Sequence, residues 1–135
     1  MDSDCCFVDT SVIVSIAIDE AHADKLVAFM ERSRRLAVGA PSLVEVAMVL
    51  GPRFGHDPRP WLETFLRRTR FEVIPFGFEH YQLATEAFLL YGKGRHPAKL
   101  NFGDCLTYAG AMMLGWPLLY IGNDFSQTDV VSALT

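Results

Sequence analysis

Apolar residues in this chain fall into two patterns: short unbroken runs, and longer stretches where they return every three or four positions. The short runs are Cys5 to Val8, Leu36 to Val38, Phe71 to Ile74 and Leu118 to Ile121. None alternates with polar residues, so each reads as a strand with apolar surroundings on both faces, the mark of a parallel sheet covered on two sides. Helical spacing fills the intervals. Thr10-Ser11 starts a helix whose apolar run reaches Ile18, and a second spans Asp19 to about Arg32 with Leu26, Val27, Phe29 and Met30 on its inner side. After the turn Gly39-Ala40-Pro41, Ser42 caps a helix that runs through Leu50 and stops at Gly51-Pro52. Pro58 or Pro60 opens the next, carrying Trp61, Leu62, Phe65 and Leu66 on one side. Phe78 to Tyr91 turns Leu83, Ala84, Ala87, Phe88 and Tyr91 inward, Gly92 to Lys99 is a basic loop, and Asn101 caps a last helix to about Leu114. Strands separated by helices give an α/β fold: a three-layer α/β/α sandwich around a central, mainly parallel sheet.

Composition narrows this without changing it. At 135 residues and 50% hydrophobic, the chain suits one domain over 1–135 with a substantial core. A net charge of −4 argues against a wholly basic nucleic-acid coat, although basic clusters occur at 32–35, 67–70 and 93–99. Three cysteines, two of them adjacent and with no C-x-x-C spacing, form neither a disulfide framework nor a zinc site, and point to a reducing cytoplasm. The acidic start is wrong for an export signal. Cys105 to Asn123 is uncharged and nearly long enough for a membrane span, but Gly115-Trp116-Pro117 breaks it into a helix, a turn and a strand, so no membrane is expected.

The candidate chemistry lies in acids placed where acids are costly. Asp9 directly follows the first strand and Asp124 follows the fourth after Gly122-Asn123, so both belong to the carboxyl rim of the sheet, where ligand sites gather. Glu45 and Asp104 each stand three residues after a capping residue, Ser42 and Asn101. Each acid alone has an ordinary explanation: a turn or helix cap for Asp9, a helix start for Asp124, and capping boxes for Glu45 and Asp104. Together they have another. All but Asp124 adjoin core-type residues, and Asp9, Glu45 and Asp124 have no cation close in sequence. Carboxylates gathered this way raise one another's pKa or need a counter-ion. Oxygen ligands without His or Cys select Mg²⁺ or Mn²⁺, with the Thr10 and Ser11 hydroxyls as outer supports, and such an ion serves phosphodiester hydrolysis.

Four segments then carry a resemblance: Val8-Asp9-Thr10-Ser11, Ser42-Leu43-Val44-Glu45-Val46, Leu100-Asn101-Phe102-Gly103-Asp104-Cys105, and Gly122-Asn123-Asp124-Phe125-Ser126-Gln127-Thr128-Asp129. In order and spacing the chain resembles PIN-domain nucleases, in detail the VapC toxins of VapBC toxin–antitoxin pairs, from about Cys5 to Val131. The resemblance implies a Mg²⁺- or Mn²⁺-dependent endoribonuclease with metal-binding acids at Asp9, Glu45, Asp104 and Asp124, an accessory acid at Asp129, a homodimer, and a VapB antitoxin whose tail enters the catalytic groove.

An RNA substrate calls for cations along its phosphates, and Lys93, Arg95 and Lys99, just before Asp104, are the candidates, against a reading as a solvated loop. Rival classes lack their marks. A haloacid-type phosphatase needs a second aspartate where Ser11 stands; a receiver domain needs an acidic pair there and a lysine after its last strand; a dinucleotide site needs Gly-x-Gly-x-x-Gly. The surviving alternative is a PIN-like module that binds RNA or antitoxin without cutting.

Overall fold

The computed structural model describes residues 4–134. Its elements in chain order are β1 (Cys5–Val8), α1 (Thr10–Ala17), α2 (Ala23–Glu31), β2 (Arg35–Gly39), α3 (Ala40–Phe54), α4 (Arg59–Arg68), β3 (Phe71–Ile74), α5 (Phe78–Tyr91), α6 (Phe102–Leu114) and β4 (Leu118–Leu119). The four strands form one parallel sheet in the order β3-β2-β1-β4. The chain therefore steps outward from β1 through β2 to β3, then returns to add β4 on the other flank of β1. That reversal makes the β1–β4 edge a topological switch point, the usual crevice for a ligand in an open α/β sheet.

Alternate residues of each strand enter two separate cores. Cys6, Val8, Leu36, Val38 and Leu119 pack with Val12, Leu26, Val46 and Leu62 from α1 to α4. Phe7, Ala37 and Leu118 pack on the opposite face with Ala84 and Ala87 of α5 and Tyr108 and Ala109 of α6. These are the three layers expected, and they explain why β1 does not alternate: all four of its positions are buried, while the edge strand β3 is only partly covered. α6 lies very close to β1. A methyl group at Gly110 would come within 2.7 Å of Phe7 Cε1, so only glycine lets the fully buried Phe7 ring seat there.

Several boundaries differ from the sequence reading, β2 among them, which runs Arg35–Gly39 and not only Leu36 to Val38. α2 begins at Ala23, not Asp19, because Asp19 takes a left-handed φ of 55° and ends the previous helix. α3 begins at Ala40, before Ser42, with Pro41 in its first turn and Gly39 as its cap. It also continues through Pro52 to end at the left-handed Gly55. β4 keeps only Leu118–Leu119. Phe88, expected inside, is 42% exposed. Among the described residues no helix is long and apolar enough to cross a membrane.

Candidate metal and phosphodiester site

The rim at the β1–β4 switch point collects the acids from four parts of the chain. Asp9 ends β1 and is buried, and its N–H donates to Leu119 O at 3.0 Å, which ties the end of β4 to it. Its Oδ2 accepts from the Ser11 N–H at 3.2 Å and the Ser11 hydroxyl at 2.6 Å. The cap reading of Asp9 is thus correct, and it uses only one oxygen.

Glu45 does not belong to a capping box. It lies in the second turn of α3, and its Oε1 accepts from the Thr10 hydroxyl at 2.8 Å, across thirty-five residues of sequence. Its carboxylate presses on Gly103, where an added methyl would stand 2.8 Å from Glu45 Cδ. Gly103 is a site residue that the sequence reading passed over. A glycine in the first turn of a helix, costing up to about 1 kcal/mol against alanine, was the available signal.

Asp104 is in a true capping box. Its N–H donates to Asn101 Oδ1 at 2.9 Å, and its Oδ2 accepts from the Asn101 N–H at 3.0 Å. Burial pushes its carboxyl up to about 6; the Asn101 N–H opposes this, and the charges of Asp124, Asp9 and Glu45 add to it. Asp124 is exposed in the loop after β4. The four acids therefore sense one another. Ion pairs among the described residues lie elsewhere, at Arg35–Glu72 and Arg59–Asp57, and none compensates this rim.

The carboxylates act on one another through space without forming a tight cage. Among the described residues no three His, Cys, Asp or Glu side chains converge tightly enough to hold an ion as they stand. This agrees with the mutual effect on Asp104, because Coulomb interactions reach well beyond coordination distance and uncompensated like charges hold each other apart. The donor set still fits a hard dication: oxygen only, with one oxygen of each of Asp9, Glu45 and Asp104 fixed by a protein donor and the other without one among the described residues.

The remaining candidates take different places. Thr10 and Ser11 orient Glu45 and Asp9, as outer supports should. Asp129 is not among the charges acting on Asp104; its Oδ1 accepts from the Tyr108 hydroxyl at 2.7 Å and ties the C-terminal segment to α6. Lys93, Arg95 and Lys99 are exposed, and the Arg95 guanidinium lies 5.0 Å over the Phe88 ring, with no bond from any of the three to the acids.

Comparison with known proteins bears on this geometry. The family model described as PIN domain matches residues 6–131. Ribonuclease VapC36 of Mycobacterium tuberculosis is 42% identical over 124 residues, covering 91% of this chain and 89% of that protein. A ribonuclease VapC of Mycolicibacterium smegmatis is 36% identical over 93% of this chain and 97% of its own. Among solved structures, the M. tuberculosis VapC20 toxin, described as cleaving the sarcin-ricin loop, superposes with a TM-score of 0.73 at 21% identity, covering 93% of this chain and 96% of its own. VapBC2 from Rickettsia felis, bound to a DNA fragment from its promoter, gives 0.71 at 16% identity, covering 95% and 96%. These two structural likenesses show the fold.

Proposed function

The chain belongs to the PIN-domain family, alongside relatives named VapC ribonucleases, and from that premise we propose that it is the endoribonuclease toxin of a type II toxin–antitoxin pair. The observation that carries the reading is the rim itself. Four acids, from the end of β1, from α3, from α6 and from the loop after β4, lie within Coulombic reach of one another at the switch point, and among the described residues no ion pair answers them.

Asp9, Glu45, Asp104 and Asp124 are the residues that would hold Mg²⁺ or Mn²⁺. The ion supplies polarisation of a phosphoryl oxygen and a nucleophilic water at neutral pH. The chain supplies the geometry. Ser11 fixes Asp9, Thr10 fixes Glu45, and the Asn101 N–H fixes Asp104, so each carboxylate keeps one oxygen aimed by a hydrogen bond. Gly103 lets α3 and α6 approach closely enough for Glu45 and Asp104 to share the cleft.

The same reading includes a VapB-type antitoxin partner, cytoplasmic location and a homodimer. A second copy is supported by apolar side chains beside the site: Val44, Met48 and Phe102 are 60%, 73% and 81% exposed on α3 and at the start of α6. The alternative of a module that binds without cutting is favoured by one observation, the lack of a ready-made three-ligand cage. One experiment decides between them. Purified protein incubated with cellular RNA and Mg²⁺ should cut it, EDTA should stop it, and Asp9→Asn should lose it. Equal cleavage by the variant would remove the activity from this site.

A further inference from the structure

Beyond the acid rim lies an open groove of about 520 Å³, with His22, Lys25, Phe29 and Arg32 on one wall and Tyr120 and Ile121 among the residues opposite. The spacing 22, 25, 29, 32 follows one stripe of α2 and its flanking residues, at 3.6 residues per turn. By the same periodicity the acids of this helix, Asp24 and Glu31, fall on the far side, so the groove wall is cationic. Helix stability explains only part of this: Arg32, at the C-cap of α2, suits the dipole, whereas Lys25 stands in the first turn, where a positive charge works against it. Among the described residues neither Lys25 nor Arg32 forms an ion pair; the two pairs present involve Arg35 and Arg59. Phe29 and Tyr120, both half-buried, are among the lining residues, and the Tyr120 ring also stands edge-on to Phe125 at 5.3 Å.

The groove is joined to the site. Its Ile121 N–H donates to the Ser11 hydroxyl oxygen at 3.2 Å, and that hydroxyl donates to Asp9 Oδ2 at 2.6 Å. Three residues after Ile121 comes Asp124. Ile121 thus couples the groove lining to the hydroxyl that orients Asp9.

We propose that this groove is the subsite for single-stranded RNA on one side of the scissile phosphate, with Lys25, Arg32 and His22 against its phosphates and Tyr120 and Phe29 against a base. Cations tracking a backbone beside aromatic platforms are what single strands require. Continuity with the acid rim favours RNA over an acidic peptide as the occupant. The proposal rests on the nuclease reading for its direction, but its test does not depend on cutting.

Binding of a fluorescent single-stranded RNA of about ten nucleotides is measured in EDTA, where no cleavage occurs, at several salt concentrations. For the exposed pair Lys25→Gln/Arg32→Gln, Kd should weaken about tenfold, and the slope of log K against log salt should fall by about 1.4, since each phosphate contact on a single strand contributes about 0.7. Tyr120→Leu should weaken binding several-fold with the slope unchanged, and Tyr120→Phe, which keeps the ring, should bind as wild type. In Mg²⁺ the lysine–arginine variant should raise KM and leave kcat in place. Melting temperatures of all variants report folding separately. Unchanged Kd and slope in the double variant overturn the proposal, as does loss of binding to an acidic peptide with RNA binding intact. Wild type that binds RNA with these dependences yet fails to cut it would sink the nuclease reading and leave the groove standing.

Discussion

Two helix starts share one sequence pattern and differ in structure. Ser42-Leu-Val-Glu45 and Asn101-Phe-Gly-Asp104 both read as a cap followed by an acid three residues on. In α6 the box forms, and Asn101 and Asp104 exchange two hydrogen bonds. In α3 it does not: Gly39 caps the helix, Ser42 is buried one turn inside, and Glu45 bonds instead to Thr10. The difference lies in the preceding residues. Pro41 suits the first turn of a helix, with φ preset and no N–H to satisfy, so α3 starts earlier and shifts Glu45 to its second turn. The lesson is that a capping box does not compete with a metal site. Asp104 commits one oxygen locally and keeps the other, whereas Glu45 is held by a distant hydroxyl, and both reach the same cleft.

That contrast can be broken experimentally, beginning where the effect should be greatest. Glu45→Gln and Asp104→Asn should each lower RNA cleavage by at least about a hundredfold, the scale on which single charge-stabilising groups act. In EDTA, Glu45→Gln should hardly move the melting temperature; a large metal-free loss would mean that Glu45 serves the fold. Gly103→Ala comes next. The added methyl must displace the flexible end of Glu45, so activity should drop about tenfold or more while the protein stays folded. Full activity would show that Glu45 need not touch α6.

Smaller effects separate the two caps. Asn101→Ala should cost about 1 kcal/mol, read as a lowered denaturant midpoint, because it removes the acceptor for the Asp104 N–H. Ser42→Ala removes no cap, and its destabilisation should fall clearly below that of Asn101→Ala. Equal losses would restore the box at α3.

The smallest effect concerns pH. The Asp104 carboxyl, raised to about 6 chiefly by burial, favours the folded state when protonated. Its contribution is fully present below the ordinary carboxylate range near 4 and is lost as pH rises through 6. In EDTA, wild type should therefore lose melting temperature relative to Asp104→Asn between pH 5 and 7.5. Parallel curves for the two proteins would place Asp104 in a well-hydrated setting.

Much of the fold was legible because strands and helices announce themselves by local periodicity. β1, β3, α5 and the capped α6 have the bounds the residues suggested, and the three layers follow from strands without alternation. The misplaced starts of α2 and α3 came from single-residue backbone choices, the left-handed Asp19 and the proline in the first turn, which average spacing does not register. Of the proposed site, the four acids that act on one another at Asp104 were legible, three because a charge among core residues stands out and Asp124 because it follows the fourth strand. Asp129 was named only as an accessory acid, and its bond to Tyr108 could not be read from its neighbours in sequence, which say nothing of what α6 presents to it.

What the sequence determined by itself was the set of elements and the list of acids, both written in short-range patterns. The tertiary structure alone decided which acids act on one another, that a missing side chain at Gly103 makes room for Glu45, and that Lys25 and Arg32 of α2 line a groove whose Ile121 bonds to Ser11. The reason is physical. Electrostatic and steric interactions act through space, and the crossovers of a parallel sheet bring together residues that are dozens of positions apart along the chain.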